Sequence, residues 1–235
     1  MKVPDRRRGS KDKTAGSDPP VTGRNLPGYV LTDDDDLADS TERWPVVATR
    51  RPYDGGFVSV REDTVRSGSG ESFVRTVLEH RGAVGVVALD ETDRVLLLLQ
   101  YRHPVGERLV EIPAGILDVD GEDPVDAAAR ELAEEASLVA SDWRLLLELA
   151  ASPGISDERW TIYLARGLTP AGEQPERRFE EADMTQVWVP LDTAVDAVLS
   201  GRMSDSMACA GVLAASVAVS RGAVESLRRP VSDDD

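Results

Sequence analysis

Histidine, cysteine, aromatic rings and positive charge are all scarce in this chain, and each shortage narrows its chemistry. There are two histidines, His80 and His103, in 235 residues, so a histidine-centred triad or a His-rich zinc site has little to draw on. Cys209 is the only cysteine, which excludes an intramolecular disulfide. Its setting, Met207-Ala-Cys-Ala-Gly211, reads as a buried helix with an inert core thiol. Aromatic residues make up 5% of the chain, so the core is expected to consist of Val, Leu, Ala and Ile. No apolar run approaches the ~20 residues needed to span a membrane, and the basic N-terminus has no apolar stretch behind it to form a signal peptide. Lys and Arg number 27 against 43 Asp and Glu, a formal net charge of −16. Such a surface repels phosphate backbones. We therefore expect neither a nucleic-acid nor a membrane partner, and a cytoplasmic location. A P-loop, a Gly-x-Gly-x-x-Gly fingerprint and a Gly-x-Ser-x-Gly elbow are also missing.

The sequence pattern divides the chain into three parts. Residues 1–42 hold Gly, Ser, Pro, a basic cluster at Arg6–Arg8 and an acidic run at Asp33–Asp36, and read as a disordered segment. Residues 43–228 alternate strand and helix patterns, and 229–235 form a short acidic tail. Strands are predicted at 57–65, 73–80, 83–89, 94–101, 143–151, 160–165 and 184–189, with 83–89 and 94–101 paired as a hairpin across Asp90-Glu-Thr-Asp93. A helix is predicted from Pro124 to Ala136, with Asp123 as its cap. Asp192 is expected to cap a short helix ending at Gly201, and Ser204 or Asp205 to open a long apolar helix to about Leu227. Strands alternating with single helices imply an α/β/α sandwich.

The helix from Pro124 carries the chemistry. Val125, Ala128, Ala129, Leu132 and Ala136 form an apolar stripe at helical period. Glu131, Glu134 and Glu135 occupy positions i, i+3 and i+4 on another face, where like charges repel. No basic partner is apparent on that face. An oxygen-liganded Mg²⁺ or Mn²⁺ would neutralise the three carboxylates. A solvated acidic face has the same spacing, and spacing alone does not choose between them.

The surrounding residues do choose. Gly115, Glu122, Arg130-Glu131, Leu132, Glu134-Glu135 and Leu138 together resemble the signature box of the Nudix hydrolase family. Seven residues separate Glu122 from Arg130, as in that motif. Two features depart from it. Six residues, Ile116 to Gly121, separate Gly115 from Glu122, one more than in the family motif, and Ser137 stands where the family has Gly. The extra residue falls in a loop, where insertion costs little. Ser137 falls just past the helix, where a left-handed backbone is usual and a non-Gly residue is tolerable. Glu79-His-Arg-Gly-Ala-Val84, Gln100-Tyr-Arg-His-Pro-Val-Gly106, Glu111-Ile-Pro-Ala-Gly115 and Ser152-Pro-Gly-Ile-Ser-Asp-Glu158 are similar to segments of the ADP-ribose pyrophosphatase group. So are Glu180-Glu181-Ala-Asp-Met184 and Pro153, which lies 15 residues after Leu138.

That resemblance implies a Nudix α/β/α sandwich with a mixed sheet, preceded by N-terminal antiparallel strands. It implies metal-dependent attack of water on the diphosphate of ADP-ribose. Glu131, Glu135 and the Ala114 carbonyl would hold the metal and Glu134 would join or support them. Glu181, or failing it Glu180, would serve as general base. Arg102 would contact diphosphate or ribose through its guanidinium fork, and Ser152, Pro153 and Asp157 would complete the substrate site. Arg130 would orient the glutamates and Glu122 would fix the loop. A homodimer is also implied. Two other readings share these features: a Nudix pyrophosphatase for another nucleotide sugar such as GDP-mannose, and a Nudix-like ligand sensor without catalysis. The intact glutamate set, and a first 42 residues too polar for a winged helix, argue against the sensor.

Overall fold

The computed structural model describes residues 37–56, 58–172 and 182–230. The first strands form a sheet of their own. β1 (Val46–Asp54), β2 (Ser59–Arg66) and β3 (Ser72–Glu79) pair antiparallel in the order β1-β2-β3. β1 was not apparent in the sequence. It contains Pro52, which removes a ladder donor, and it lies at the sheet edge with a register shift between Arg50 and Tyr53, where proline is tolerated. The start of the first predicted strand, Phe57, lies outside the described residues, as do residues 1–36 and 231–235 of the two predicted tails.

Two further sheets make the body. One is ordered β7-β4-β9-β8, from β7 (Ala114–Ile116), β4 (Ala83–Ala88), β9 (Arg159–Pro170) and β8 (Leu138–Ala150). β4 and β9 run parallel and the other pairs antiparallel, so this sheet is mixed. The other is ordered β10-β5-β6, from β10 (Thr185–Pro190), β5 (Arg94–Arg102) and β6 (Glu107–Glu111). This corrects the predicted hairpin. β4 and β5 are joined by the turn at 90–93 but belong to different sheets, and only the isolated bridge Leu89–Val95 links their ends. The turn is held instead by the Asp90 carboxylate, which accepts hydrogen bonds from the Thr92 and Arg94 amides.

The layers follow from alternation along the strands. On β4, Val84, Val86 and Ala88 face α1 (Pro124–Ala136), together with Tyr163 and Ala165 of β9. Ala83 and Val87, with Ile162 and Leu164, face the opposite layer of α2 (Leu191–Leu199) and α3 (Ser206–Ser220). β5 is buried on both faces: Leu96 joins the first cluster, and Val95 and Leu97 the second. Gly85 makes room for this packing, because a Cβ there would press on the Met207 side chain, which would have to shift. The result is an α/β/α sandwich preceded by antiparallel strands.

Three helix ends differ from the sequence reading. Asp123 stands at the N-cap of α1, but only its carbonyl is used, accepting from Asp126 and Ala127, and its side chain makes no cap bond. Asp192 lies inside the first turn of α2, whose N-cap is Pro190. α3 stops at Ser220, not near Leu227. Gly222 at φ 60° ends it, and a short 3-10 turn follows at Val224–Ser226. At its start the Asp205 side chain accepts from the Ala208 amide at 2.7 Å.

Ser137 has φ 55° and ψ 40°, a left-handed terminus, and its amide bonds to Ala133 O. Relieving a non-Gly side chain there is worth roughly 1–2 kcal/mol, and the added freedom of Gly in the unfolded chain costs about 0.4–1 kcal/mol. Ser137→Gly should therefore stabilise the protein by a few tenths to about 1 kcal/mol in denaturant melts. Lower stability of the variant would show that the Ser137 side chain contributes a bond that outweighs the strain.

Candidate active site

The glutamate helix is docked by two of its own acids. Glu135 is 7% exposed, and its Oε2 accepts a hydrogen bond from the Ala114 amide at 2.8 Å. Glu131 reaches the next residue of β7. A Cβ built on Gly115 would overlap the Glu131 carboxylate. Consecutive residues of a three-residue strand thus each receive one helix carboxylate, and glycine is needed where the second one presses closest. Gln186 Nε2 of β10 donates to the Glu135 carbonyl at 2.9 Å and fixes the end of the helix.

Arg130 gathers the remaining charge. Its Nε and Nη2 hold both oxygens of Glu122 at 3.1 and 2.9 Å, a bidentate pair, and its Nη1 donates to Glu131 Oε1 at 2.6 Å. Glu134 Oε2 lies 3.7 Å and Asp118 Oδ1 3.8 Å from the same guanidinium. The acidic face therefore has a basic partner after all, because Arg130 swings back over its own helix to meet it. Hydrogen bonding to Glu122, followed by the charge of Glu131, holds Arg130 protonated well above its ordinary range against the opposing effect of burial. The same pairing lowers the Glu122 pKa. Glu131 moves the other way: burial raises its pKa, and the opposing Arg130 contact does not cancel the effect.

Whether this arrangement suits a cation can be read from its donors. Among the described residues no three His, Cys, Asp or Glu side chains converge on one point. The groups that do approach each other are Glu131, Glu135 and the Ala114–Gly115 backbone, with Glu134 on the neighbouring face. All are oxygen donors except the Ala114 amide, which Glu135 already uses. Two carboxylates brought to one short strand offer oxygen ligands of the kind a hard dication takes, and the burial of Glu131 leaves a charge that such an ion would compensate.

Arg102 lies at the end of β5 with its guanidinium clamped by Glu111. Hydrogen bonding to Glu111 raises the Arg102 pKa most, with smaller contributions from the charges of Glu135 and Asp205. Ser152, Pro153 and Asp157 lie on the β8–β9 loop. The hydrogen bonds of that loop run to β3: Asp157 Oδ1 accepts from the His80 amide at 3.0 Å, the Asp157 amide donates to Leu78 O, and Leu78 N donates to Ile155 O. Pro153 flanks a cleft with Trp44, Phe73 and Arg75 of the N-terminal sheet. Glu180 and Glu181 lie outside the described residues. Sequence reasoning gave Glu111 no role in the site and Asp205 only that of a helix start. Glu111 is 5% exposed, and Asp205 is buried enough for its pKa to be raised. The strand register offers little signal for this contact: it sets Arg102 opposite Glu107 and Glu111 opposite Leu98, and the long arginine side chain reaches Glu111 across that offset.

Comparison with known proteins agrees with this geometry. The model of the NUDIX domain family matches residues 79–207. An ADP-ribose pyrophosphatase of Mycobacterium tuberculosis is 46% identical over 168 residues, covering 72% of this chain and 81% of that protein. A methanol dehydrogenase activator of Bacillus methanolicus is 33% identical, covering 68% and 85%. A crystal structure described as an ADP compounds hydrolase superposes with a TM-score of 0.66 at 20% identity, covering 80% of this chain and all of that one, a likeness of fold.

The raised pKa of Glu131 has a consequence for stability. A carboxyl that binds its proton more tightly in the folded state adds stability below its unfolded pKa and loses it as pH rises through the folded pKa. In chelator-treated protein at pH 7, Glu131→Gln should therefore be at least as stable as the parent. The difference should close below about pH 4, where Glu131 is itself neutral. Melts across that range check this. A clear loss of stability at pH 7 would show that pairing with Arg130 outweighs burial.

Proposed function

The chain belongs to the NUDIX domain family, and from that premise we propose that it hydrolyses the pyrophosphate of ADP-ribose to AMP and ribose 5-phosphate with the help of a divalent cation. The convergence of Glu131 and Glu135 on Ala114 and Gly115 carries the catalytic part of this reading. The substrate part is supported by the name of the mycobacterial relative. The other nucleotide-sugar reading stands behind it, with GDP-mannose as the comparison substrate.

In this reading Glu131, Glu135 and the Ala114 carbonyl would hold Mg²⁺ or Mn²⁺, and Glu134 would assist them. When bound, the cation neutralises diphosphate oxygens and lowers the pKa of the attacking water. Arg130 keeps Glu131 oriented, and Glu122 in turn fixes Arg130. Arg102 offers a guanidinium to the diphosphate, and Ser152, Pro153 and Asp157 shape the substrate end of the site. Glu181, or Glu180, accepts the proton of water. Residues 43–228 form the Nudix unit. An exposed apolar run on β1, including Val46, Val47 and Tyr53, supports a homodimer formed through the N-terminal sheet. The lack of any described helix long and apolar enough to cross a membrane accords with a cytoplasmic enzyme.

Purified protein with Mg²⁺ should release AMP and ribose 5-phosphate from ADP-ribose and stop in excess EDTA. Equal turnover in EDTA would overturn the metal requirement, and a strong preference for GDP-mannose would overturn the substrate. Glu135→Gln should lower turnover at least ~100-fold, because a lost ligand removes several kcal/mol of transition-state stabilisation. Its amide oxygen can still accept from Ala114, so the circular dichroism spectrum should match the parent's. Near-normal activity in this variant would return Glu135 to a purely structural role.

A further inference from the structure

Arg102 and Glu111 form a pair whose two halves live in different surroundings. The Glu111 side chain is 6% exposed and the Arg102 side chain 44%. Arg102 Nε donates to Glu111 Oε1 at 2.8 Å and Nη2 to Oε2 at 2.6 Å, so one edge of the guanidinium is fully engaged. Nη1 makes no hydrogen bond among the described residues. The fork is planar and its donors are fixed relative to one another. Clamping one edge therefore sets the direction of the other. Glu111 closes β6, two residues before Pro113 and three before Ala114, so the clamp is anchored to the chain that leads into the glutamate-docking strand.

We propose that Glu111 is a positioning residue that holds Arg102 with its Nη1 edge presented to a diphosphate. The inference rests on the reading of Arg102 as a phosphate contact and adds the device that aims it. A long arginine side chain on a strand end would otherwise lose rotamer freedom at each binding event. A buried carboxylate removes that freedom in advance, and it cannot release the arginine without stranding its own charge. Two further acids, Glu135 and Asp205, add to the negative surroundings that hold the guanidinium charged.

The test is a double-variant cycle on pyrophosphate binding, measured by calorimetry with the full chain in Mg²⁺. Glu111→Gln retains the shape of Glu111 but places an amide donor against one of the arginine donors, so the aim is lost while the arginine charge remains. Glu111→Gln and Arg102→Ala should each raise the dissociation constant roughly tenfold or more, as for loss of one charge-assisted contact. The double variant should be no weaker than Arg102→Ala, because Glu111 acts only through Arg102. Arg102→Ala strands a buried carboxylate and threatens the fold, so Arg102→Lys, which keeps the charge without the fork, is run beside it. It too should be insensitive to a further Glu111→Gln. Additive losses would overturn the proposal. So would a Glu111→Gln protein with a lowered melting temperature and an unchanged dissociation constant, and so would a parent protein that does not bind pyrophosphate. A parent that binds pyrophosphate with the expected cycle but leaves ADP-ribose intact would sustain the positioning role and overturn the substrate reading.

Discussion

The approach of one helix to one short strand constrains the whole candidate site. α1 comes close enough to β7 for Glu135 to take the Ala114 amide and for Glu131 to lie against Gly115. A side chain on residue 115 would displace the Glu131 carboxylate from where it lies. The closeness in turn depends on small residues beneath the helix. Ala127, Ala128 and Ala136 are buried with Leu132 against Val84, Val86 and Ala88. Short side chains on both surfaces let the helix settle low on the sheet, and native packing density leaves no gap to be taken up elsewhere. The acids are thus brought to the backbone by the apolar packing of the same helix face, where Glu135 is buried along with Ala127, Ala128 and Leu132.

How much of this was legible in the sequence depends on how local the determining interaction is. The helix from Pro124, its apolar stripe and the left-handed Ser137 are set by neighbours three or four residues apart, and a reader of the chain can see them. Even there the stripe was placed imperfectly: Ala127 is buried and Ala129 is only half-buried. The assignment of β4 and β5 to different sheets is set by β9 and β10, far along the chain, and a turn sequence at 90–93 cannot reveal it. β6 and β7 are short, five and three residues, and lack enough alternation to be seen. In the site, the glutamate spacing and Arg130 were visible because a motif places them together. The clamp of Glu111 on Arg102 was not, because a buried carboxylate looks like any other until the partner strand is known.

The distribution of arginines explains how so acidic a chain can hold its carboxylates close. The formal charge is −16, yet the site does not leave its acids to repel one another unchecked. Arg130 spans Glu122 and Glu131 and lies within 4 Å of Glu134 and Asp118. Arg102 takes Glu111 and feels Glu135 and Asp205. Each guanidinium grips one carboxylate with two parallel bonds and still reaches further acids, a planar bidentate geometry that a compact ammonium lacks. The two differ in how far they are spent. Arg130 has all three nitrogens committed to glutamates and is 29% exposed, so it serves the geometry of the helix. Arg102 is more open and engaged along one edge only. An anion reaching this site meets a strongly negative surface at long range, where screening by salt acts over about 8–10 Å. At short range it meets the one arginine of the pair with a donor still to give. Discrimination of this kind favours a ligand that arrives with its charge already shared by a cation, as a metal-bound diphosphate does, over a bare polyanion, because only the first can cross the acidic approach without repulsion.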